Sequence, residues 1–127
     1  MLLLDTCTLV WVTSQPDRLS PSARALLDDE SQDLVLSDAS VWEMCLKWQL
    51  GKIELPSPPR RWIEEQAEIW KLERLSVERS HLYRTSELEL IHKDPFDRLL
   101  VAQAIEAGLV IVTPDASIAR YPVSVHW

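Results

Sequence analysis

Short apolar runs alternate with amphipathic stretches along most of this chain. Met1-Leu2-Leu3-Leu4 is wholly apolar, the pattern of a strand buried on both faces. Thr6–Thr13 predicts a short helix before the turn Gln15-Pro16-Asp17. Ser20 ahead of Pro21 predicts a second helix, to about Glu30, with the serine as N-cap and proline in the first helical position. Leu34-Val35-Leu36 reads as another buried strand. Beyond Ser37-Asp38-Ala39-Ser40, the stripe Val41, Met44, Cys45 and Trp48 has the spacing i, i+3, i+4, i+7 and predicts a helix that Gly51 ends. The loop Ile53–Pro59 leads into a helix over Arg60–Lys71 carrying Ile63, Ala67 and Trp70.

The second half repeats this logic. Leu72–Leu75 predicts a short strand and Val77–Ser86 a helix. Asp94-Pro95 starts a helix that runs to Ala107 and stops at Gly108. Leu109–Val112 is β-branched and bounded by glycine and proline, the clearest strand in the chain. One or two helical turns over Asp115–Arg120 and an edge strand over Val123–His126 complete the pattern. Strands alternating with helices predict an α/β fold in three layers, α/β/α, around a central, mainly parallel sheet with right-handed crossovers.

At 127 residues, one domain over 1–127 is expected, long enough for a substantial core. Only two glycines, against eight prolines, argue against a flexible linker. Asp5 breaks the first apolar run and no basic segment precedes it, so neither a secretory signal nor a membrane span is expected. Two cysteines, Cys7 and Cys45, make no disulfide framework, and a reducing cytoplasm is the expected location. A net charge of −7 disfavours non-specific nucleic-acid binding, unless a metal ion inverts the field around part of it. It also suits a basic partner protein.

That exception has a specific basis. Acids stand where strands give way to helices: Asp5 after the first run, Glu43 near the start of an amphipathic stretch, Asp94 and Asp97 around Pro95-Phe96, and Asp115 after the last strong strand. Ligands of parallel α/β sheets bind at the carboxyl ends of the strands, where these acids would converge. Clustered carboxylates repel one another unless a cation lies among them, and hard divalent ions take oxygen ligands. The pattern points to Mg²⁺, or Mn²⁺, and to phosphate chemistry. Each acid also has a plain structural reading. Ser40-Val41-Trp42-Glu43 fits a capping box, Asp94 an N-cap, Asp97 the positive end of a helix dipole, and Asp5 and Asp115 caps of the helices that follow them. Capping alone does not require acids after both strands expected at the centre of the sheet.

Five segments occur in order: Leu2-Leu3-Leu4-Asp5-Thr6, Ser40-Val41-Trp42-Glu43, Gly51-Lys52-Ile53-Glu54-Leu55-Pro56, His92 to Ala104 with its core Asp94-Pro95-Phe96-Asp97-Arg98-Leu99-Leu100, and Thr113-Pro114-Asp115. Together they resemble the PIN domains of VapC-type toxins over nearly the whole chain. The resemblance implies a Mg²⁺-dependent ribonuclease, commonly dimeric and inhibited by a cognate antitoxin of a type II toxin–antitoxin module. By the match, Asp5, Glu43, Asp97 and Asp115 take the family's acidic quartet. Asp5 and Asp97 are then expected as the main direct ligands, with Glu43 and Asp115 orienting water or a second ion. Asp94 is an extra acid, an outer group or a cap. Cys7 stands where related chains often carry histidine.

Thr6 and Ser40 are supporting candidates for hydrogen bonds to the acids or to phosphate, and Arg98 for steadying a phosphate. Arg60, Arg61 and Lys71 fit a solvated helix face better than an RNA contact. His81, His92 and His126 lack zinc spacing with the cysteines. Of six tryptophans, Trp42, Trp48 and Trp70 are expected in the core, and Trp11 and Trp62 on an exposed groove. Two other classes compete. Asp5-Thr6-Cys7-Thr8 is similar to the opening of aspartyl-phosphate phosphatases with Asp5 as nucleophile, although Cys7 replaces their second acid. A non-catalytic acidic module that binds a protein is the other. Metal-dependent RNA cleavage, or a trapped phospho-aspartate, separates them.

Overall fold

Side chains along a strand point alternately to opposite faces, so a strand covered on both faces must be apolar throughout. The computed structural model, which describes residues 1–127, places five strands in one sheet, the apolar β1 (Leu2–Leu4), β2 (Leu34–Ser37) and β4 (Val110–Val112) inside and the more polar β3 (Glu73–Leu75) and β5 (Ser124–His126) at the edges. Their order is β3-β2-β1-β4-β5, and every neighbouring pair is parallel. The two strands expected at the centre, β1 and β4, lie side by side with Leu2 beside Val110 and Leu4 beside Val112.

The helices are α1 (Thr6–Ser14), α2 (Pro21–Asp28), α3 (Asp38–Gln49), α4 (Pro59–Ile69), α5 (Arg79–Glu87) and α6 (Pro95–Ala107), with 3₁₀ turns at Pro16–Arg18 and Ile118–Arg120. Leu2, Leu4, Leu34, Leu36 and Val112 face one layer, packed with Leu9 of α1, Ala23 and Leu27 of α2, and Trp62 and Ile63 of α4. Leu3, Val35 and Ile111 face the other, packed with Leu100, Val101 and Ala104 of α6 and with Ile118 and Tyr121. This is the three-layer α/β/α arrangement expected. Fully burying each large apolar side chain contributes roughly 1.5–3 kcal/mol, so the alternation within β1 ties the two layers together.

Local chemistry sets the ends. Ser20 Oγ accepts from the Ala23 N–H at 3.0 Å, as its N-cap role predicts. Gly108 closes α6 at φ 66°, a left-handed conformation that costs glycine nothing. In α3 the cap is Ser37, whose Oγ accepts from the Ala39 N–H at 3.0 Å, so the helix begins earlier than the capping-box reading placed it. Its buried positions are Ala39, Ser40, Glu43 and Met44, not the stripe through Cys45 and Trp48. Cys45 is exposed, and so are Trp48 and Trp42, the latter at 63% and packed edge-to-face on Phe96. The apolar pattern misleads here because a charged residue, Glu43, occupies the inward face.

Trp62 reverses its expectation too: it is buried against the α4 side of the sheet. Trp70 is half-buried against the same core. No helix is long and apolar enough to cross a membrane.

Candidate active site

The carboxyl ends of β1 and β4, the first turn of α6 and the inner face of α3 meet at a cavity of about 370 Å³. Asp5, Glu43, Asp94, Asp97 and Asp115 all line it, with Thr6, Cys7, Lys47 and an apolar flank of Val10, Trp11 and Ile53. The expected quartet therefore converges from four separate parts of the chain.

The acids differ in how their structural duties are met. Asp94 is a true N-cap: its Oδ1 accepts the N–H of Phe96 at 2.8 Å and of Asp97 at 3.2 Å. Asp115 divides its oxygens. Oδ1 accepts the N–H of Ser117 and Ile118, at 2.7 and 3.2 Å, while Oδ2 meets His92 Nε2 at 3.0 Å. Asp5 holds the N-cap position of α1 but makes no side-chain cap. Its Oδ2 instead accepts from Thr113 Oγ1 at 2.6 Å and from the Cys7 thiol at 3.6 Å. Glu43 caps nothing: Thr6 Oγ1 donates to its Oε1 at 2.6 Å, and Lys47 Nζ lies 2.5 Å from its Oε2. Asp5 and Glu43 are 6% and 3% exposed, and carboxylates are almost never buried that far unless paired.

The electrostatics follow from this crowding. Burial, followed by the charges of Asp5, Asp94 and Glu43, pushes the Asp97 carboxyl up to about 7, against some relief from His92. Asp5 is raised as well, by burial first and by Glu43, although the Thr113 and Cys7 hydrogen bonds oppose the rise. Asp115 goes the other way. Burial would raise it, but the His92 contact and the two backbone N–H groups together hold it below the usual carboxylate value. Burial and the neighbouring Asp5 charge push the Cys7 thiol well above its normal value, so it stays protonated and offers no soft thiolate ligand.

The donor set fits a hard divalent cation. It is composed of carboxylate oxygens, it is short of positive charge, and two of its members, Asp5 and Asp97, are raised above the usual carboxylate value by burial and by their acidic neighbours. Asp97 and Asp115, with His92, place one potential ligand atom each within 4.8 Å of one another. His92 itself is better placed as a donor. Its Nδ1 accepts the Asp94 N–H at 3.2 Å, so the ring proton sits on Nε2. Nε2 then donates to Asp97 Oδ2 at 2.9 Å and to Asp115 Oδ2 at 3.0 Å, aligning both carboxylates.

Three participants were missed in the sequence. Lys47 follows Glu43 by one helical turn, and a Glu-to-Lys i, i+4 pair was a readable signal. Thr113 stands in the segment Thr113-Pro114-Asp115 with no role of its own expected, yet its hydroxyl links Asp5 to the Asp115 N–H, which donates to it at 3.1 Å. His92 carried no usable spacing. Of the supporting candidates, Thr6 binds an acid as expected. Ser40 does not: it is fully buried and its Oγ has no hydrogen-bond partner. Arg98 is turned away, donating to the carbonyls of Glu89 and Thr85 and to the Tyr121 hydroxyl at 2.7–3.0 Å.

This fold and this acidic cavity define a class. The PIN domain family matches residues 2–123, and the chain belongs to that family. It is similar to ribonuclease VapC22 of Mycobacterium tuberculosis, with 29% identity over 116 residues, 90% of this chain and 86% of that one. Two solved structures share the fold at a TM-score of 0.71, each covering 98% of this chain and 96% of theirs. They are a DNA-bound VapBC from Salmonella typhimurium, 18% identical, and VapBC2 from Rickettsia felis bound to a promoter DNA fragment, 15% identical.

Proposed function

We propose that this chain is a Mg²⁺-dependent endoribonuclease, the toxin of a type II toxin–antitoxin module, with Mn²⁺ as an alternative ion. The observation that carries the reading is the convergence of Asp5, Glu43, Asp97 and Asp115 on one cavity, with two carboxyls raised by burial and by one another's charge. The PIN family and the ribonuclease named among its relatives support the same reaction class.

In this reading Asp5 and Asp97 would hold the ion, and Glu43 and Asp115 would complete the charge around it. A divalent ion in such a site neutralises phosphate charge and activates a water for attack. The protein's own groups fix the carboxylates that receive it. Thr113 orients Asp5, His92 orients Asp97 and Asp115, and the Ser117 and Ile118 N–H groups stop Asp115 from rotating. Hydrolysis adds the oxygen of water to phosphorus, breaks the bond to the leaving ribose oxygen, and returns a proton to that oxygen. Val10, Trp11 and Ile53 give the cavity an apolar side, on which a base can rest without sequence-specific contacts.

An antitoxin fits the same cavity: a basic side chain would take the cation's place while an apolar segment covers Trp11. The exposed surface formed by Trp42, Leu82 and Leu90 beside Phe96 supports a homodimer contact. A cytoplasmic location belongs to the same reading. Cleavage of RNA by the purified chain, with Mg²⁺, Mn²⁺ or EDTA and with Asp5→Asn beside it, tests the proposal. Ion-dependent cleavage that Asp5→Asn abolishes is expected. Cleavage that persists in EDTA, or in the variant, would sink it. Co-expression with neighbouring small reading frames tests the antitoxin.

A further inference from the structure

Five carboxylates line the cavity, and Lys47 is the single cation among the lining residues. An incoming phosphodiester is itself an anion, so the lone ammonium bears on substrate binding as much as on the acids. A surface i, i+4 pair stabilises a helix and needs no further role. This pair is different in geometry. The Glu43 side chain is 4% exposed, against 37% for Lys47, so a buried carboxylate anchors a lysine that reaches the cavity. Both Glu43 oxygens are occupied, Oε1 by the Thr6 hydroxyl and Oε2 by Lys47. Glu43 is therefore already clamped and clamps the ammonium in turn. An ammonium has three donors, and Glu43 takes one, leaving two for an oxygen entering the cavity.

We propose that Lys47 is a phosphate-binding residue of this site, holding a non-bridging oxygen of the RNA, and that Glu43 is the residue that positions it. This rests on the ribonuclease reading above and deepens it. Glu43 becomes a positioning group acting through Lys47 rather than a direct ligand of the ion. Asp94 and Asp97 also face the ammonium. Their field keeps it on the cavity side when no RNA is bound.

The test compares wild type with Lys47→Met, which preserves length and helix propensity, and with Lys47→Arg. Lys71→Asn serves as a charge control. Lys71 lies in a cavity with Asp33 and Leu34, by the start of β2, and asparagine tolerates its φ of 52°. Binding of a short fluorescent single-stranded RNA is measured in Ca²⁺ across a salt series, and Mn²⁺ binding is followed by electron paramagnetic resonance. Lys47→Met is expected to weaken RNA binding several-fold. It should also make the slope of log affinity against log salt shallower by about 0.7, the value for one phosphate contact on a single strand. Its Mn²⁺ binding should be no weaker than wild type. Lys47→Arg should recover the slope, and Lys71→Asn should not change it. Unchanged RNA affinity and slope in Lys47→Met would overturn the assignment. So would a parallel loss of Mn²⁺ binding, or an equal loss of slope in Lys71→Asn. A wild-type protein that neither binds nor cleaves RNA would overturn the ribonuclease reading with it, whereas cleavage and binding untouched by Lys47→Met overturn this inference alone.

Discussion

Asp97→Asn should stabilise the metal-free protein near neutral pH, by an amount the site itself sets. Burial, and after it the charges of Asp5, Asp94 and Glu43, raises the Asp97 carboxyl from 3.8 to about 7. At about 1.4 kcal/mol per pH unit, a difference of 3.2 corresponds to a ceiling of about 4 kcal/mol. The direction follows from proton binding. Between the two values the native protein keeps a proton that the unfolded chain has lost, so stability falls as pH rises through this window and levels off above about 7. Asparagine keeps the size and can still accept from His92, but has no charge to lose. In EDTA, wild type and Asp97→Asn should melt together near pH 4 and separate on the way to pH 8. There the variant should be more stable by up to about 4 kcal/mol, a shift on the order of 10 °C for a domain of this size. Asp5 is raised in the same sense, so a fall with pH should remain in the variant. Asp115, which is lowered, affects both proteins equally at the acid end. Mg²⁺ should restore wild type at pH 8 far more than at pH 5, where Asp97 is largely protonated, and should do little for the variant. A variant no more stable than wild type at pH 8 in EDTA would refute the electrostatic account of the site.

Asp94 and Asp97 should separate in function. Asp97→Asn is expected to lose most cleavage and Asp94→Asn little, while Asp94→Ala should cost about 1 kcal/mol as the α6 cap is lost. Equal and complete loss of cleavage in both asparagine variants, with unchanged melting, would show that Asp94 is a ligand. Thr113→Val removes the donor to Asp5 and the acceptor of the Asp115 N–H, and should cost about 1–3 kcal/mol. It should also raise Asp5 further and move Mn²⁺ binding to higher pH, which a titration at two pH values checks. Trp42→Ser, at a side chain 63% exposed but packed edge-to-face on Phe96, should cost about 0.5–1.5 kcal/mol, as chemical denaturation of the dilute protein will show.

What could be read from the sequence was what depends on local rules. The strands β1, β2 and β4 are continuous apolar runs, and burial on both faces leaves no other reading for them. Ser20, Asp94 and Gly108 mark helix ends because their chemistry acts within a turn. The acids were legible because a parallel sheet gathers its strand ends at one place, whatever their separation along the chain. The helix α3 was read on the wrong face for the opposite reason. Its inward position is taken by Glu43, and a buried acid makes sense only with Thr6 and Lys47 beside it. His92 and Gln103 were equally hidden. Gln103 is fully buried, accepts from the Ser37 hydroxyl and donates to the Ser76 carbonyl, so it ties the carboxyl ends of β2 and β3 to α6. Such long-range polar partnerships leave no period in the sequence.

The sheet ends in two very short edges. β3 and β5 are three residues each, and β3 presents Glu73 and Arg74 to solvent, the arginine drawn back toward Asp38 by an ion pair of 2.8 Å. An exposed edge is a template for another chain to add a strand, and brevity and charge are how proteins prevent it. Here the backbone groups left unpaired are too few, and too close to charge, to seed a continuous ladder. The apolar strands β1, β2 and β4 are thereby enclosed between edges that resist the addition of a further strand. Assembly with any other chain is directed instead to helix faces and to the cavity end, the surfaces on which side chains rather than main chain decide the partner.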